Sequence, residues 1–268
     1  MSKKQYVATS ADGCAWITGA SSGIGRALAL ELVRGGWHVA VTARSEDALR
    51  SLSSEATDLP GKIHIYAGDV SDTALMAKHC KSIHDELGNI ALMIANAGVY
   101  LPQDGLSGDI SAYRSSLDVN LMGTFNVVLP VIDAMQQSGK GQIAVVSSVA
   151  GYRGLPTSAA YGATKAALIN FSESLKFDLD RTGIRIQLIN PGFVDTPATK
   201  SNPFPMPHLI SPEEAVQEIV HGLRHPSKFE IAFPRSFVRQ LKILQILPSW
   251  LYFNLIARST GWDKKKAG

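Results

Sequence analysis

The chain has 268 residues, 45% hydrophobic and 18% charged, with 26 Lys and Arg against 23 Asp and Glu for a net charge of +3. A chain of this length buries a full core without disulfides or a structural metal, and two cysteines, Cys14 and Cys80, make neither a disulfide framework nor a metal cluster. The composition excludes a disulfide-rich secreted scaffold, a collagen-like chain and a mostly disordered one, and the weak charge, with lysine runs only at the ends, excludes a nucleic-acid-binding footprint.

Short apolar runs at 15–18, 37–42, 63–67, 90–95, 143–147 and 185–189 read as strands, and 229–233 as a seventh. Helical segments lie between them. One starts near Gly23 and closes at Gly35-Gly36. Ser45 caps another that carries Glu46 and Asp47 in its first turn; Asp72 and Gly88 bracket a third; a fourth runs from Tyr161 to about Asp180. Strands alternating with helices are βαβ units. They predict an α/β fold: a single doubly wound Rossmann-type domain with about seven parallel strands and helices on both faces. No internal repeat or linker divides the chain, so 1–233 reads as the sheet-forming part and 234–268 as a C-terminal helical extension of the same domain.

In such a sheet ligands bind beyond the C-terminal ends of the strands. After the first strand comes Thr18-Gly19-Ala20-Ser21-Ser22-Gly23-Ile24-Gly25, which runs directly into a helix. Glycines there let a pyrophosphate approach the backbone, and the helix N-terminus supplies free N–H groups. Spaced as TGxxxGIG, the loop resembles that of the short-chain dehydrogenase/reductase family, and the resemblance runs from about residue 15 to 233. It implies cofactor contacts from Gly19, Ser21, Ser22, Gly23, Ile24 and Gly25, with Asp69 and Val70 at the adenine. Asn96-Ala97-Gly98 would lie beside the cofactor, and Pro191, Gly192, Val194 and Thr196 would hold the nicotinamide carboxamide. Asn120, Ser148, Tyr161 and Lys165 match the family's catalytic tetrad; in that role Asn120 orders a proton-relay water and Lys165 also holds the nicotinamide ribose.

The second strand ends Val41-Thr42-Ala43-Arg44-Ser45. A carboxylate at its tip would suit the ribose of NAD; an arginine suits the 2′-phosphate of NADP. Arg44 therefore points to NADP(H), with NAD the less favoured cofactor; Glu46 and Asp47, one turn on, speak for it. Among seven tyrosines an accidental YxxxK has a chance of about one in three, so the weight of Tyr161 and Lys165 comes from their position at the start of a helix, thirteen residues after Ser148. Residues i and i+4 share a helix face. A lysine ammonium there would favour phenolate and lower the phenol pKa, giving Tyr161 the role of general acid for carbonyl reduction and base for the reverse oxidation. Ser148, preferred over Ser147 by its spacing to Tyr161, would donate to the carbonyl oxygen. The scattered histidines have no ligand spacing, so no metal site is expected.

The expected reaction is an NADP-dependent interconversion of a ketone or aldehyde with its alcohol. Tyr100, Tyr152, Leu155, Phe193, Phe204 and Met206 would line an apolar pocket, with Arg153 read as solvent-exposed. A ketoacyl-thioester reductase and a non-catalytic NADP-binding regulatory protein are the competing readings. No apolar leader opens the chain and no run of about 20 apolar residues spans it, which makes the cytoplasm the expected location and a homodimer the expected assembly. The extension has apolar residues at helical spacing, which Pro248 should divide into two helices. Three readings of it stay open: packing on the core or a dimer partner, a lid, and an interfacial membrane anchor with Trp250, Tyr252 and Phe253 at headgroup depth.

Overall fold

The computed structural model describes residues 5–103, 105–106, 108–200 and 206–264. The first half of the sheet is β1 (Cys14–Thr18), β2 (His38–Thr42), β3 (Lys62–Ile65) and β4 (Ile90–Ala95), and the second is β5 (Gly141–Val146), β6 (Ile184–Pro191) and β7 (Glu230–Phe233). Among the described residues these strands form one parallel sheet in the order β3-β2-β1-β4-β5-β6-β7. β1 pairs with β2 on one side (Ile17 opposite Val41) and β4 on the other (Trp16 opposite Met93). The central strands are buried along their whole length. Sheets covered on both faces read as continuous apolar runs for this reason.

On one face, α1 (Gly23–Arg34), α2 (Glu46–Glu55) and α7 (Pro212–Arg224) bury Leu28, Val33, Leu52 and Ile219. On the other, α3 (Thr73–Leu87), α5 (Gly123–Ser138) and α6 (Ala159–Leu179) bury Met76, Ile83, Val131 and Leu168. The capping signals act as read: Ser45 and Asp72 each accept a backbone N–H, from Ala48 and Leu75, and Gly35 and Gly88 close α1 and α3. Each accepted N–H is one of the donors a helix start leaves unpaired.

α4 (Ile110–Ser116) continues into α5 through one turn of π-helix, Leu117–Met122. Residues 110–138 are long and apolar enough to cross a membrane by length and composition, but half of the most apolar window is buried, with Val127, Val128 and Val131 packed into the core. β5 starts two residues before the expected run and takes in Gln142, while β6 carries Arg185 and Gln187 inside the expected run 185–189. Gln142, buried on β5, donates to Gln187 Oε1 at 2.6 Å and to the Leu223 carbonyl at 3.0 Å. Arg185 on β6 is buried without a carboxylate, and its guanidinium donates to the carbonyls of Leu223 (3.2 Å), Lys228 (3.1 Å) and His225. Those carbonyls lie at and just beyond the end of α7, the negative end of its dipole. Burial still pulls the Arg185 pKa down to about 10.

After β7 the chain forms α8 (Arg235–Gln245) and α9 (Ser249–Thr260), parted at Pro248. Proline cannot continue a helix, and here its carbonyl starts the next one by accepting from Leu251 and Tyr252 N–H, both at 3.0 Å. Phe237, Val238, Tyr252 and Ile256 face inward. Two expectations are corrected. Tyr252 is buried, its hydroxyl donating to the Gly154 carbonyl at 2.7 Å, so it does not sit at headgroup depth. Arg153 is not a solvent-facing cation. It donates to the carbonyls of Leu244, Gln245 and Leu247 at 3.1, 3.2 and 2.8 Å and to Ser249 Oγ at 3.2 Å, and it stacks 4.0 Å from the Tyr252 ring centre.

Candidate active site

A cleft of about 890 Å³ opens along the C-terminal ends of the strands. Between β1 and α1, Gly19 adopts φ +70°, and a Cβ there would lie 2.7 Å from Ala97 Cα; a Cβ on Gly25 would lie 2.4 Å from the Gly19 carbonyl oxygen. The loop therefore needs glycine to fold this tightly. Ser22 is the N-cap of α1, yet its side chain makes no capping bond, and the first N–H groups of α1 lack intrahelical partners. Asn96 fastens the opposite wall to this loop: its Nδ2 donates to the carbonyls of Thr18 (3.0 Å) and Gly19 (3.2 Å), while Thr18 Oγ1 accepts from Asn96 and Ala97 N–H at 3.2 Å each.

Of the residues singled out from the sequence, Gly19, Ser21, Ser22, Gly23, Ile24, Arg44, Asp69, Val70, Asn96, Ala97, Gly98, Ser148, Tyr161, Lys165, Pro191, Gly192, Val194 and Thr196 all line this cleft. Gly25 lies behind the loop, and Asn120 behind Gly98. Arg44 is exposed at the tip of β2, and no ion pair among the described residues involves it. Its neighbour Glu46 is held 2.5 Å from Arg50. Asp69 accepts from Ser71 N–H and Oγ at 2.9 and 2.8 Å, and the Val70 carbonyl is fixed by Asn126 Nδ2 at 2.9 Å.

Asn120 sits on the π-helical turn, a device that often marks functional sites. Its Oδ1 accepts from Val99 N–H at 2.7 Å, and its Nδ2 donates to the Val99 carbonyl (3.0 Å) and Thr164 Oγ1 (3.1 Å). Thr164, which sequence reasoning passed over, in turn donates to the Tyr161 carbonyl at 2.7 Å. The start of α6 is thus pinned to this turn. The position of Gly98 brings Asn120 and Lys165 together: a Cβ on it would lie 3.3 Å from Asn120 Oδ1 and 3.6 Å from Lys165 Nζ.

Lys165 is buried and donates to the Val146 carbonyl at 2.9 Å, with Nζ 5.6 Å from the Tyr161 ring centre. Burial without a counter-charge brings its pKa down to about 8. The expected lowering of the Tyr161 pKa by Lys165 is not found. Desolvation raises the phenol above its ordinary value and outweighs the hydrogen bond to Ser148, which acts the other way. The ammonium is directed at a backbone carbonyl, and the phenol lies in a poorly solvated site against Tyr100, edge to face with ring centres 4.9 Å apart. The two serines separate by role. Ser147 is buried and donates to the Lys165 carbonyl at 2.8 Å. Ser148 Oγ accepts from Ala150 N–H at 3.1 Å and lies 3.4 Å from the Pro191 carbonyl.

The far half of the cleft is lined by Tyr100, Leu155 and Phe193 and, from the extension, by Phe237, Leu241, Leu244 and Ile256. Among the described residues, the charged side chains lining the whole cleft are Arg44, Asp69 and Lys165. Tyr152 and Met206 are not among the lining residues, and Phe204 lies outside the described residues. Tyr152 instead donates to Glu230, which also accepts from Asn190 Nδ2 at 2.8 Å and from Lys242. The helices of the extension could not be placed at this cleft from spacing alone, because no local pattern shows that they fold back.

Residues 13–204 match the short chain dehydrogenase family. The chain is similar to an uncharacterised oxidoreductase from Myxococcus xanthus, 35% identical over 238 residues, which covers 89% of this chain and 94% of that protein. It is also similar to a 3-oxoacyl-acyl-carrier-protein reductase from Thermotoga maritima, 33% identical, covering 76% of this chain and 87% of the relative. Among solved structures, an alcohol dehydrogenase from Thermococcus sibiricus complexed with 5-hydroxy-NADP superimposes with a TM-score of 0.75 at 26% identity, covering 82% of this chain and 95% of that one. On the matched residues, these relatives and the parallel sheet, the protein is an oxidoreductase that belongs to the short-chain dehydrogenase/reductase family.

Proposed function

We propose that the protein is an NADPH-dependent reductase of an uncharged, substantially apolar ketone or aldehyde, with Tyr161 as the proton donor. The observation that carries this reading is the meeting of Ser148, Tyr161 and Lys165 in one cleft, at the border between a polar glycine-loop half and an apolar half.

The residues of the polar half fit a nicotinamide dinucleotide. The glycine loop and the start of α1 form a cradle for a pyrophosphate. Arg44 has no ion-pair partner among the described residues and stands beside Ala43, where a ribose-binding carboxylate would sit; Glu46 is engaged with Arg50. This favours a 2′-phosphate, hence NADP over NAD. Asp69 and Val70 would flank the adenine, and Pro191, Gly192, Val194 and Thr196 the nicotinamide. When bound, the dinucleotide supplies the hydride.

This chain's part is to hold the carbonyl and deliver the proton. The Tyr161 phenol is protonated at neutral pH, as an ordinary phenol is, and desolvation raises its pKa further; this is the state required of a general acid. Ser148 Oγ would orient the carbonyl oxygen and stabilise the charge that develops on it. Lys165, beside Gly98, would hold the ribose, and Asn120 would order the water that relays a proton back to the phenol. Among the described residues the apolar half has no cation to pair with an acidic substrate group, which argues for a neutral carbonyl compound.

We read the protein as cytoplasmic and homodimeric. Exposed apolar residues on α5 and α6, Leu129 and Phe177, support the dimer. The test follows consumption of NADPH and NADH with neutral ketones, aldehydes, keto acids and acyl thioesters. Turnover of neutral carbonyls with NADPH is expected. Tight NADPH binding without turnover on any of them would leave a non-catalytic NADP-binding protein.

A further inference from the structure

We propose that the elbow between α8 and α9 is a docking surface for an anionic lipid bilayer, which sets the substrate mouth of the cleft against the membrane. The docking stands on the elbow alone; delivery of an apolar substrate from the lipid rests on the reading of the cleft given above.

The two helices divide their apolar residues between opposite sides. Leu241, Leu244 and Ile256 line the cleft. Ile243, Ile246, Trp250 and Phe253 recur at every third or fourth position and point outward, with 61, 82, 68 and 63% of their surface exposed. Isolated exposed apolar residues are ordinary, but four large ones on one elbow form a patch that marks an interaction site. Nor is this a loose end of the chain. Arg153 holds three carbonyls and a hydroxyl of the elbow, its guanidinium covers the Tyr252 ring, and the Tyr252 hydroxyl is tied to Gly154. The outward residues are presented by a fixed support.

Charge selects the occupant. Residues 235–262 contain Arg235, Arg239, Lys242 and Arg258 and no Asp or Glu. Arg235, Arg239 and Arg258 are exposed, and Lys242 is paired with Glu230. A second copy docked on this face through a two-fold axis would bring the same patch, with the same cations, onto itself. An anionic membrane meets both halves of the pattern: apolar and aromatic side chains enter the boundary of the acyl region, and the arginines remain among the headgroups. The elbow would then lie on the surface, with the apolar half of the cleft directly behind it.

The test uses the full chain and vesicles of phosphatidylcholine alone or mixed with phosphatidylglycerol. Wild type is expected to float with the mixed vesicles at low ionic strength, to be released by salt and to show a blue shift of tryptophan emission. Ile246→Glu combined with Trp250→Glu changes only exposed positions; it should abolish flotation while circular dichroism and Tm stay as in wild type. Arg258→Gln should weaken binding about fivefold, the value of one basic residue near an anionic surface. No flotation of wild type, or equal flotation of the double variant, overturns the proposal. So does a wild-type dimer that the double variant splits in sedimentation, since the face would then belong to a second copy. None of these arms needs NADPH or a substrate, so failure of the docking and failure of the proposed reaction are read separately.

Discussion

In the cofactor half of the cleft, the lining groups of the nucleotide cradle sit on short loops after β1 to β4 and at the end of β6, each within a few residues of its strand. In the substrate half, Phe237, Leu241, Leu244 and Ile256 come from α8 and α9, far along the chain from Tyr100 and Leu155 opposite them. The first half is polar and held by hydrogen bonds between the loops of adjacent strands, such as those joining Asn96 after β4 to Thr18 and Gly19 at the end of β1. The second is apolar and held in place by distant ties, chiefly the clasp of Arg153 on the elbow carbonyls and the bond from Tyr252 to Gly154. The difference teaches that the nucleotide site is a property of the sheet and its loops, whereas the substrate site depends on where the extension docks. Changes in one half should therefore leave the other intact, with Tyr161 at the border.

The largest expected effect is at that border. Tyr161→Phe should reduce kcat by about 10²–10⁴-fold, the usual worth of a positioned general acid, with NADPH affinity nearly unchanged; steady-state kinetics beside a fluorescence titration separate the two. Retention of most of the activity would remove Tyr161 from the acid role.

Next is the buried ammonium. With a folded pKa of about 8 against an ordinary 10.5, Lys165 binds fewer protons folded than unfolded between those values, so its contribution to stability rises with pH there. Below pH 8 the full penalty stands, on the order of 3 kcal/mol. Without cofactor, Lys165→Met is expected to melt above wild type at pH 7, and the gap should close as pH rises from 8 to 10.5. A gap independent of pH would show that burial of the charge is not what costs stability.

Arg44→Ala is expected to weaken NADPH by about 1.5–3 kcal/mol, the scale of a charge-assisted hydrogen bond, and to leave NADH and the KM for the carbonyl compound almost untouched. Equal weakening of both cofactors, read by calorimetry, would take the 2′-phosphate from Arg44.

The smallest effect is expected from the clasp. Arg153→Ala should cost about 1–2 kcal/mol of stability through unpaired elbow carbonyls and raise KM for an apolar carbonyl, with Kd for NADPH unchanged. A parallel loss of NADPH affinity would break the independence of the two halves.

Much of the fold was legible because its signals are local. Apolar runs of strand length, Ser45 and Asp72 as caps, Gly35 and Gly88 as stops, and Pro248 as a break each act within one turn or one strand. The glycine loop could be read for the same reason, since tight turns and close approach exclude side chains at Gly19 and Gly25. Pairing across the sheet was less legible. Gln142 and Arg185 are polar residues inside strands, admitted there because Gln187 and carbonyls at and beyond the end of α7 accept from the Gln142 amide and from the terminal nitrogens of Arg185.

By itself the sequence determined the alternation that makes a parallel sheet, the nucleotide cradle and the spacing of Ser148, Tyr161 and Lys165, since each depends on residues close together in the chain. Tertiary structure alone decided the direction of the pKa shifts at Tyr161 and Lys165 and the second half of the site. Burial, which no spacing reports, raises the Tyr161 phenol where the ammonium of Lys165 was expected to lower it. Tyr152 was read as pocket lining and Arg153 as solvent-exposed, and the place of Tyr252 stayed open, yet each found its partner 78 or more positions away, in Glu230, Leu247 and Gly154. Such contacts form only after the chain has folded back on itself, because their energy comes from desolvated groups meeting across the fold rather than from any preference along it.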